Sequence, residues 1–174
     1  MTDQSLNLYQ GELLAFLQDT RPLTVYTEGC EQTEAFGAAL AAVFAQHPDA
    51  LPPYIALRGD LGVGKTAFVR GFAHVLAPGC AVRSPTFALV NEYRARNQRT
   101  AVFHFDMYRI TDEDDLYSIG YDDYLERGIC LVEWSENIPY ALPDERLTLT
   151  IEKCSPDHPD LRKITLKFIS ETIG

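Results

Sequence analysis

Residues 59–66 constrain this chain more than any other stretch of its sequence. They read Gly-Asp-Leu-Gly-Val-Gly-Lys-Thr and match the pattern G-x-x-x-x-G-K-S/T of a P-loop. Glycines let such a loop curl so that its N–H groups point at phosphate oxygens, and the positive end of the following helix faces the same oxygens. The lysine reaches the terminal phosphates, and the last hydroxyl can ligate Mg²⁺. The motif therefore predicts a strand, a phosphate-binding loop and a helix, in that order.

The residues around the loop fit this requirement. Residues 54–58 form a short apolar run typical of a strand. Apolar side chains then recur at the spacing of one helical face, at Phe68, Phe72, Val75 and Leu76. Residues 62–67 also read as G-x-G-x-x-A, which is typical of dinucleotide binding, but that pattern requires an acidic residue about 20 positions later. Residues 81–86 contain no acid, so we favour the P-loop.

Composition places the chain among folded proteins without membrane spans. It has 174 residues, of which 46% are hydrophobic, enough for one domain with a sizeable core. No apolar run approaches 18 residues, and the N-terminus lacks the basic and apolar regions of a signal peptide. We therefore expect a cytoplasmic protein that does not contact membranes. The four cysteines are widely spaced, which favours reduced thiols over a zinc site or disulfides.

The formal net charge of −10 argues against a nucleic-acid-binding surface on this chain. Affinity for RNA or DNA depends on a basic patch that displaces counterions from phosphates. A P-loop supplies its own local positive field, so nucleotide binding is unaffected by this argument. We expect no contact with DNA, and any link to RNA through a partner.

The chain divides into an N-terminal extension at residues 1–22 and a P-loop domain at residues 23–174. The apolar residues of the extension lie near helical spacing, at Leu6, Tyr9, Leu13 and Leu17.

Within the P-loop domain, the sequence pattern predicts strands at 23–26, 54–58, 87–93, 100–106, 128–133, 147–151 and 164–168. It predicts helices at 31–45, after the P-loop and at 111–120. This alternation predicts an α/β fold, a P-loop three-layer sandwich with a central, mostly parallel mixed sheet and helices on both faces. The last two strands are predicted to form an antiparallel hairpin around a turn at 156–160.

Two acidic residues end apolar strands and are candidates to hold a metal. Asp106 ends the predicted strand 100–106, and Glu133 ends the predicted strand 128–133. Ligands of open α/β sheets bind beyond the carboxyl ends of the strands, so both carboxylates can reach the P-loop crevice. We expect one of them to hold Mg²⁺ and the other to orient or deprotonate an attacking water.

Other polar residues near these motifs each have two interpretations. Ser84 and Thr86 form either a switch segment that approaches the γ-phosphate or a simple polar turn. Arg109 either stabilises charge on the transferred phosphate or pairs with nearby acids. His104 is interpreted as a core histidine hydrogen-bonded to the backbone rather than as a general base. The single tryptophan, Trp134, either stacks on a ligand or partner, or packs in the core.

The chain resembles one family over about residues 31–168, the bacterial tRNA threonylcarbamoyladenosine biosynthesis ATPases called TsaE or YjeE. The resemblance depends on four motifs in a fixed order. They are the P-loop, Ser-Pro-Thr-Phe at 84–87 followed by Leu-Val-Asn-Glu-Tyr at 89–93, His-x-Asp-x-Tyr-Arg at 104–109, and Leu-Val-Glu-Trp at 131–134. Ala67 and Ala88 depart from the family pattern, because threonine is common at both positions. The change at Ala67 implies weaker nucleotide binding.

The resemblance implies an ATPase whose expected ligands are ATP and Mg²⁺. The residues expected to contact ATP are Thr33, Asp60, Leu61, Gly62, Val63, Gly64, Lys65, Thr66 and Ala67. Thr66 and Glu133 would ligate Mg²⁺. Asp106 would position the attacking water, with Lys65 as the other catalytic residue. Residues 28–33 would lie on the adenine side. Switch or charge-stabilising roles remain for Ser84, Thr86 and Arg109.

The resemblance also implies partners. The chain would act with the TsaB–TsaD heterodimer, which installs a threonylcarbamoyl group on adenosine 37 of tRNA, and it would reach tRNA only through that complex. Hydrolysis would be weak in the isolated chain and would reset the complex between rounds.

Three other functions fit parts of the sequence. A small-molecule kinase with the same P-loop would need an acceptor pocket and an arginine-rich lid, for which Arg94, Arg96 and Arg99 form the dense basic stretch. A GTPase would need the guanine-reading N-K-x-D motif, which the chain lacks. A catalytically inactive nucleotide sensor would bind ATP without turnover.

Overall fold

The structure of the chain is a computed structural model that describes residues 8–19, 21–95 and 100–171. Its strands are β1 (Leu23–Glu28), β2 (Tyr54–Arg58), β3 (Val90–Tyr93), β4 (Ala101–Asp106), β5 (Gly128–Glu133), β6 (Glu145–Ser155) and β7 (His158–Ser170). Its α-helices are α1 (Gln10–Asp19), α2 (Gly29–Gln46), α3 (Lys65–Leu76), α4 (Glu113–Ser118) and α5 (Tyr121–Leu125). Two 3₁₀ turns, Ser135–Asn137 and Pro139–Ala141, follow β5.

The described strands form a seven-stranded mixed sheet in the order β1-β7-β6-β2-β5-β4-β3. The four central strands, β6, β2, β5 and β4, pair in parallel. Both edges are antiparallel, because β7 pairs with β6 and β1, and β3 pairs with β4. The predicted α/β fold with a mixed sheet is therefore confirmed. The P-loop follows β2, which lies in the parallel centre of the sheet.

Helices cover both faces of this sheet. One core lies under α1, α2 and α3, where Val102 of β4 belongs to the same apolar cluster as Phe36 and Phe68. The other core lies under α4, α5 and the 3₁₀ turns, where Phe103 and Phe105 pack against tyrosine rings of α5. Alternate residues of β4 therefore face opposite layers, as the period of a strand requires.

The N-terminal helix α1 packs against the first core. Tyr9, Leu13 and Phe16 are buried, and the Tyr9 ring meets the Phe36 ring edge to face at 5.2 Å. Leu6, which the sequence assigns to the same apolar stripe, lies outside the described residues. Although α1 precedes the P-loop domain in sequence, it shares that domain's hydrophobic core. Within the described ranges, no helix combines the length and apolar character needed to cross a bilayer.

The strand predicted at 87–93 begins later than expected, since β3 starts only at Val90. Phe87 is 88% exposed, and Leu89 has a left-handed backbone with a φ of 63°. The Leu89 amide donates a hydrogen bond to the Pro85 carbonyl oxygen at 2.7 Å, which closes a turn. The prediction of a strand at 87–89 is wrong because the backbone curls there after Pro85 and leaves the apolar Phe87 in solvent.

Two further boundaries differ from expectation. The helix predicted at 111–120 is shorter, and α5 begins directly after Gly120, whose φ of 66° interrupts the helical path. The terminal hairpin is confirmed as antiparallel, but its strands extend to a turn at 156–157, because Ser155 pairs with His158. Pro159 is tolerated in β7 because the register of the hairpin shifts at this point, as in a β-bulge.

Helices α2 and α3 cross at very close range, and two glycines allow this approach. A Cβ added at Gly71 would lie 1.8 Å from the Glu34 carbonyl oxygen, and one at Gly37 would lie 2.2 Å from the Phe68 carbonyl oxygen. Both distances are far inside van der Waals contact. The crossing therefore fixes the position of α3, whose first residues are Lys65 and Thr66.

We expect Gly71→Ala to lower the free energy of unfolding by about 3 kcal/mol, because the added methyl group must push α2 away from α3. Gly11→Ala is the matched control, since nothing lies within 4 Å of its added Cβ. Alanine there favours the helix by about 0.5–1 kcal/mol. Urea denaturation measures both variants. If Gly71→Ala unfolded at the same urea concentration as the wild type, the close crossing of α2 and α3 would be contradicted.

Candidate functional site

The carboxyl ends of three parallel strands meet at the P-loop. Leu57 of β2 pairs with Glu133 of β5, and Glu133 pairs with Asp106 of β4. The P-loop follows β2 directly, since its first residue is Gly59. The register therefore brings the loop and both carboxylates to one edge of the sheet.

The curled shape of the loop depends on glycines and on the terminal hairpin. Gly59 and Gly64 have φ values of 131° and 113°, which residues with side chains rarely adopt. A Cβ at Gly59 would also lie 2.2 Å from the Ile151 carbonyl oxygen of β6. From β7, Nε of Arg162 donates to the Val63 carbonyl oxygen at 3.0 Å. The β6–β7 hairpin therefore holds the loop from outside.

Lys65 lies inside the curled loop. Its ammonium donates to the carbonyl oxygens of Gly59 and Asp60, at 2.5 and 3.0 Å, and lies 3.9 Å from the centre of the Trp134 ring. Burial lowers the pKa of Lys65, while nearby carboxylates, led by Glu133, act in the opposite direction. Backbone carbonyls and an aromatic face thus hold the cation at the loop.

Glu133 is a buried carboxylate with two polar partners on one oxygen. Its Oε1 accepts a hydrogen bond from the Thr66 hydroxyl at 2.8 Å and lies 2.8 Å from Nε2 of His104. Glu133 is 5% exposed and His104 is fully buried, so each depends on the other for a hydrogen-bond partner. This arrangement fixes the carboxylate beside the hydroxyl that ends the P-loop motif.

Through Tyr93, the last residue of β3, His104 is also connected to the segment before that strand. Its Nδ1 lies 3.4 Å from the Tyr93 hydroxyl, which donates to the Arg83 carbonyl oxygen at 3.0 Å. A polar chain therefore runs from Thr66 through Glu133, His104 and Tyr93 to Arg83. The sequence interpretation of His104 as a core histidine agrees with this burial, but its main partner is a carboxylate rather than the backbone.

Asp106 faces the segment that contains Ser84 and Thr86. Its Oδ2 accepts a hydrogen bond from the Thr86 hydroxyl at 2.9 Å, and its Oδ1 accepts one from the Tyr108 amide at 3.1 Å. The hydroxyls of Ser84 and Thr86 lie 2.7 Å apart. The structure thus connects this segment directly to the carboxylate at the end of β4.

These groups line a cavity of about 280 Å³ over the P-loop. Its polar wall includes Lys65, Thr66, Arg70, Ser84, Thr86, Asp106 and Glu133. A second cavity of about 200 Å³ adjoins it on the other side of Gly62 and Gly64, and Cys30 lines both. Cavities of about 460 and 450 Å³ lie elsewhere without these groups, so size alone does not identify the site.

The candidate ATP-contacting residues divide between the two cavities. Those that line the first are Leu61, Gly62, Gly64, Lys65, Thr66 and Ala67. Val63 and Thr33 line the second, where the Thr33 hydroxyl donates to the Gly29 carbonyl oxygen at 3.2 Å. Asp60 is exposed on the loop.

Arg109 lies outside both cavities. Its guanidinium stacks on the exposed Phe87 ring, with 5.0 Å between the guanidinium carbon and the ring centre. Among the described residues its guanidinium forms no ion pair, and the contact with a transferred phosphate stays a prediction. Arg109 and Phe87 instead form a stacked pair on the surface of the turn that precedes β3.

Three residues at the site carry no signal in the local sequence. Arg162 reaches the loop from 99 residues away, and Asp160 lies beside it in the wall of the second cavity. Arg70 extends from α3 into the first cavity. The position of Trp134 over Lys65 requires a left-handed backbone with a φ of 58°, which a sequence pattern does not reveal. Only the fold brings these groups together.

The oxygen donors at the site fit a magnesium-bound nucleotide. Mg²⁺ prefers oxygen ligands and usually takes one or two from protein, with the remainder from phosphates and water. The Thr66 hydroxyl and the Glu133 carboxylate supply such a partial set. In the part of the chain that the structure describes, no three His, Cys, Asp or Glu side chains group so as to hold a metal. Phosphate oxygens on the loop would therefore have to complete the coordination.

Comparison with known proteins gives a consistent set of matches. The family model for threonylcarbamoyl adenosine biosynthesis protein TsaE matches residues 27–163. The tRNA threonylcarbamoyladenosine biosynthesis protein TsaE of Bacillus subtilis is 40% identical over 132 residues, covering 75% of this chain and 78% of that protein. The protein of the same name from Haemophilus influenzae is 34% identical over 132 residues, covering 75% and 80%.

A solved structure matches as well. The crystal structure of Bacillus subtilis YdiB aligns with a TM-score of 0.65 and 33% sequence identity. The alignment covers 86% of this chain and 87% of that one. The likeness therefore extends over most of both chains rather than over the P-loop alone.

We expect His104→Leu to lower the free energy of unfolding by about 2 kcal/mol, because the buried Glu133 carboxylate loses a hydrogen-bond partner. His104→Gln is the matched variant, since its amide nitrogen can take the position of Nε2 and should retain about half of that stability. Urea denaturation at neutral pH measures both. An equal loss in the two variants would show that ring packing, rather than the hydrogen bond, is responsible.

Proposed function

The chain belongs to the TsaE family of threonylcarbamoyl adenosine biosynthesis proteins, and from this premise we propose that it is a Mg²⁺-dependent ATPase. Family membership places it in the biosynthesis of threonylcarbamoyladenosine, a modified nucleoside of tRNA. The proposal adds the reaction, its ligands and its partners. ATP hydrolysis by this chain would serve the TsaB–TsaD heterodimer as that pair modifies adenosine 37.

One observation carries the proposal: the P-loop, Glu133 and Asp106 converge on a single cavity at adjacent strand ends. A P-loop alone accounts for phosphate binding. Hydrolysis also needs a metal ligand and a group that orients the attacking water. Two carboxylates in neighbouring register positions beside the loop supply both, which supports an ATPase over a nucleotide sensor without turnover.

The loop and Lys65 would bind the triphosphate. Amides of the curled loop and the positive end of α3, which begins at Lys65, would face the phosphate oxygens. The Lys65 ammonium would exchange the carbonyl oxygens of Gly59 and Asp60 for anionic phosphate oxygens. This exchange is favourable because charge-assisted hydrogen bonds are stronger than those to neutral carbonyls.

Thr66 and Glu133 would hold Mg²⁺, since their side-chain oxygens already lie 2.8 Å apart. The bound metal would neutralise charge on the β- and γ-phosphate oxygens. His104 would act as a positioning residue, because its contact with Oε1 of Glu133 keeps the carboxylate oriented toward Thr66.

Asp106 would orient the attacking water and accept its proton. The Tyr108 amide and the Thr86 hydroxyl fix both carboxylate oxygens, and the residue lines the cavity. As the water oxygen bonds to the γ-phosphorus and the bond to ADP breaks, the carboxylate takes the proton that the water loses. The products are ADP and inorganic phosphate.

We place the adenosine in the second cavity. This cavity adjoins the P-loop on the side of α2 and contains Thr33, Asp160 and Arg162. The Thr33 hydroxyl is engaged with Gly29 and Thr27, so its contact with the nucleoside would be packing rather than a new hydrogen bond.

Family membership supports a partner within the tRNA-modification machinery, and we propose that this partner is the TsaB–TsaD pair. A formal net charge of −10 disfavours direct contact with the tRNA backbone, so tRNA would be reached through the TsaB–TsaD pair. We propose that hydrolysis is weak in the isolated chain, and that it resets the complex between rounds of modification.

No observation on the described residues favours the small-molecule kinase. Arg94, the first residue of the dense basic stretch, lies beside Glu92, with 3.0 Å between its Nε and the Glu92 Oε1. Arg96 and Arg99 lie outside the described residues. Phosphate release from ATP without an added acceptor separates the two functions, since a kinase would depend on its acceptor.

We expect Lys65→Ala to weaken ATP affinity by about 10- to 100-fold, because a charge-assisted hydrogen bond contributes about 1.5–3 kcal/mol. Asp106→Asn should keep ATP affinity near the wild-type value and lower turnover by about 100-fold or more, because it loses the proton acceptor but keeps the shape. Isothermal titration with Mg²⁺–ATP measures affinity. Phosphate release with the TsaB–TsaD pair present measures turnover.

Asp49→Asn is the control, since Asp49 is an exposed carboxylate in the turn between α2 and β2. It should match wild type in both measurements. Wild-type turnover of Asp106→Asn in the full complex would contradict the role of this carboxylate. Unchanged ATP affinity of Lys65→Ala would contradict the binding mode.

A further inference from the structure

A groove of about 460 Å³ lies apart from the nucleotide cavities, between α4, α5 and the Pro139–Ala141 turn. Three tyrosines, Tyr117, Tyr121 and Tyr140, and three carboxylates, Glu113, Asp114 and Asp122, line it. We call this feature the tyrosine groove. It belongs to none of the motifs that the proposed ATPase uses.

Two of the three aromatic rings of the tyrosine groove are exposed. Tyr121 forms the base, since it is buried and its hydroxyl lies 2.6 Å from that of Tyr54. By contrast, Tyr117 is 87% exposed and Tyr140 is 47% exposed. Amphipathic rings that stand in solvent around a concave surface are typical of an interface rather than a core.

The groove also carries a concentrated negative charge. Residues 110–126 contain seven carboxylates and no lysine or arginine. Asp112 and Asp115 accept hydrogen bonds within their own turn, whereas Glu113, Asp114 and Asp122 form no ion pair with any described residue. Partial burial and then the carboxylates of Glu113, Asp112 and Asp115 raise the pKa of the Tyr140 hydroxyl. The negative potential therefore reaches the rings themselves.

Exposed tyrosines among unpaired carboxylates are complementary to arginine and lysine side chains. A guanidinium or ammonium can stack on a tyrosine face while it pairs with a neighbouring carboxylate. The same charge repels a phosphate backbone, which excludes RNA or DNA as the occupant. The chemistry of the groove therefore selects a basic segment of protein.

Both walls of the groove continue from the strand ends of the nucleotide site. The helix α4 begins seven residues after Asp106, and the Pro139–Ala141 turn begins five residues after Trp134, whose ring lies over Lys65. The Asn137 side chain joins the two connections, because its Nδ2 donates to the Met107 carbonyl oxygen at 3.0 Å. An occupant of the groove would thus contact both segments that follow the candidate carboxylates in the chain.

We propose that the tyrosine groove docks an arginine- and lysine-bearing segment of the protein partner with which this ATPase works. The proposal rests on the proposed function for the identity of that partner, the TsaB–TsaD pair. It adds the surface, the chemistry of the contact and a route from the contact to the nucleotide site.

The test compares three variants. Glu113→Lys/Asp114→Lys reverses the charge of the groove, and Tyr117→Ser removes an exposed ring without disturbing the core. The control, Asp49→Lys/Glu145→Lys, makes the same change in net charge at exposed positions near the amino ends of β2 and β6. Each is titrated with the TsaB–TsaD pair in the presence of Mg²⁺–ATP, and separately with a fluorescent oligo-arginine peptide. ATP affinity of each isolated variant is measured in parallel and should equal that of wild type.

We expect both groove variants to bind the pair and the peptide about tenfold or more weakly, while the control binds both like wild type. The peptide separates the two proposals. If wild type binds the peptide through the groove but does not bind the TsaB–TsaD pair, the groove is retained and the proposed partner is wrong. Equal affinity of the groove and control variants for both probes would overturn the inference.

Discussion

The candidate site depends on the parallel pairing of β5 between β2 and β4. This pairing places Glu133 next to Leu57 on one side and next to Asp106 on the other. The P-loop leaves the end of β2 two residues after Leu57, so the loop and two carboxylates meet without any long connection. A slip of one residue in β5 would turn Glu133 to the opposite face of the sheet and remove it from Thr66.

Burial gives these polar groups their fixed positions. Each buried carboxylate has two hydrogen-bond partners, and these come from different parts of the chain. Glu133 is held by the P-loop helix and by β4, while Asp106 is held by the turn before β3. Because an unpaired buried charge is costly, the fold favours one arrangement of these groups. The two carboxylates therefore connect the phosphate-binding loop to the turn that contains Ser84 and Thr86.

The sequence predicted the elements whose residues carry a local pattern. The strand at 54–58, the glycines of the loop and the acids that end β4 and β5 all have neighbours that identify them. The turn at 87–89 was missed because its residues are apolar, and only the backbone of Leu89 shows that they curl. The helix α5 was missed because Gly120 signals an end, although the chain turns helical again one residue later. Arg162 could not be predicted, since its contact with Val63 depends on how the terminal hairpin meets the loop.

The central claim is that the P-loop holds a triphosphate whose metal is shared by Thr66 and Glu133. A crystal structure with Mn²⁺ and a non-hydrolysable ATP analogue tests it most directly, because the anomalous signal of manganese locates the metal independently of the phosphates. We predict one anomalous peak within direct coordination distance of the Thr66 hydroxyl, on the side of the Glu133 carboxylate, with the phosphates inside the loop of residues 59–66. A metal bound away from both side chains, or phosphates outside the loop, would contradict this account of the site.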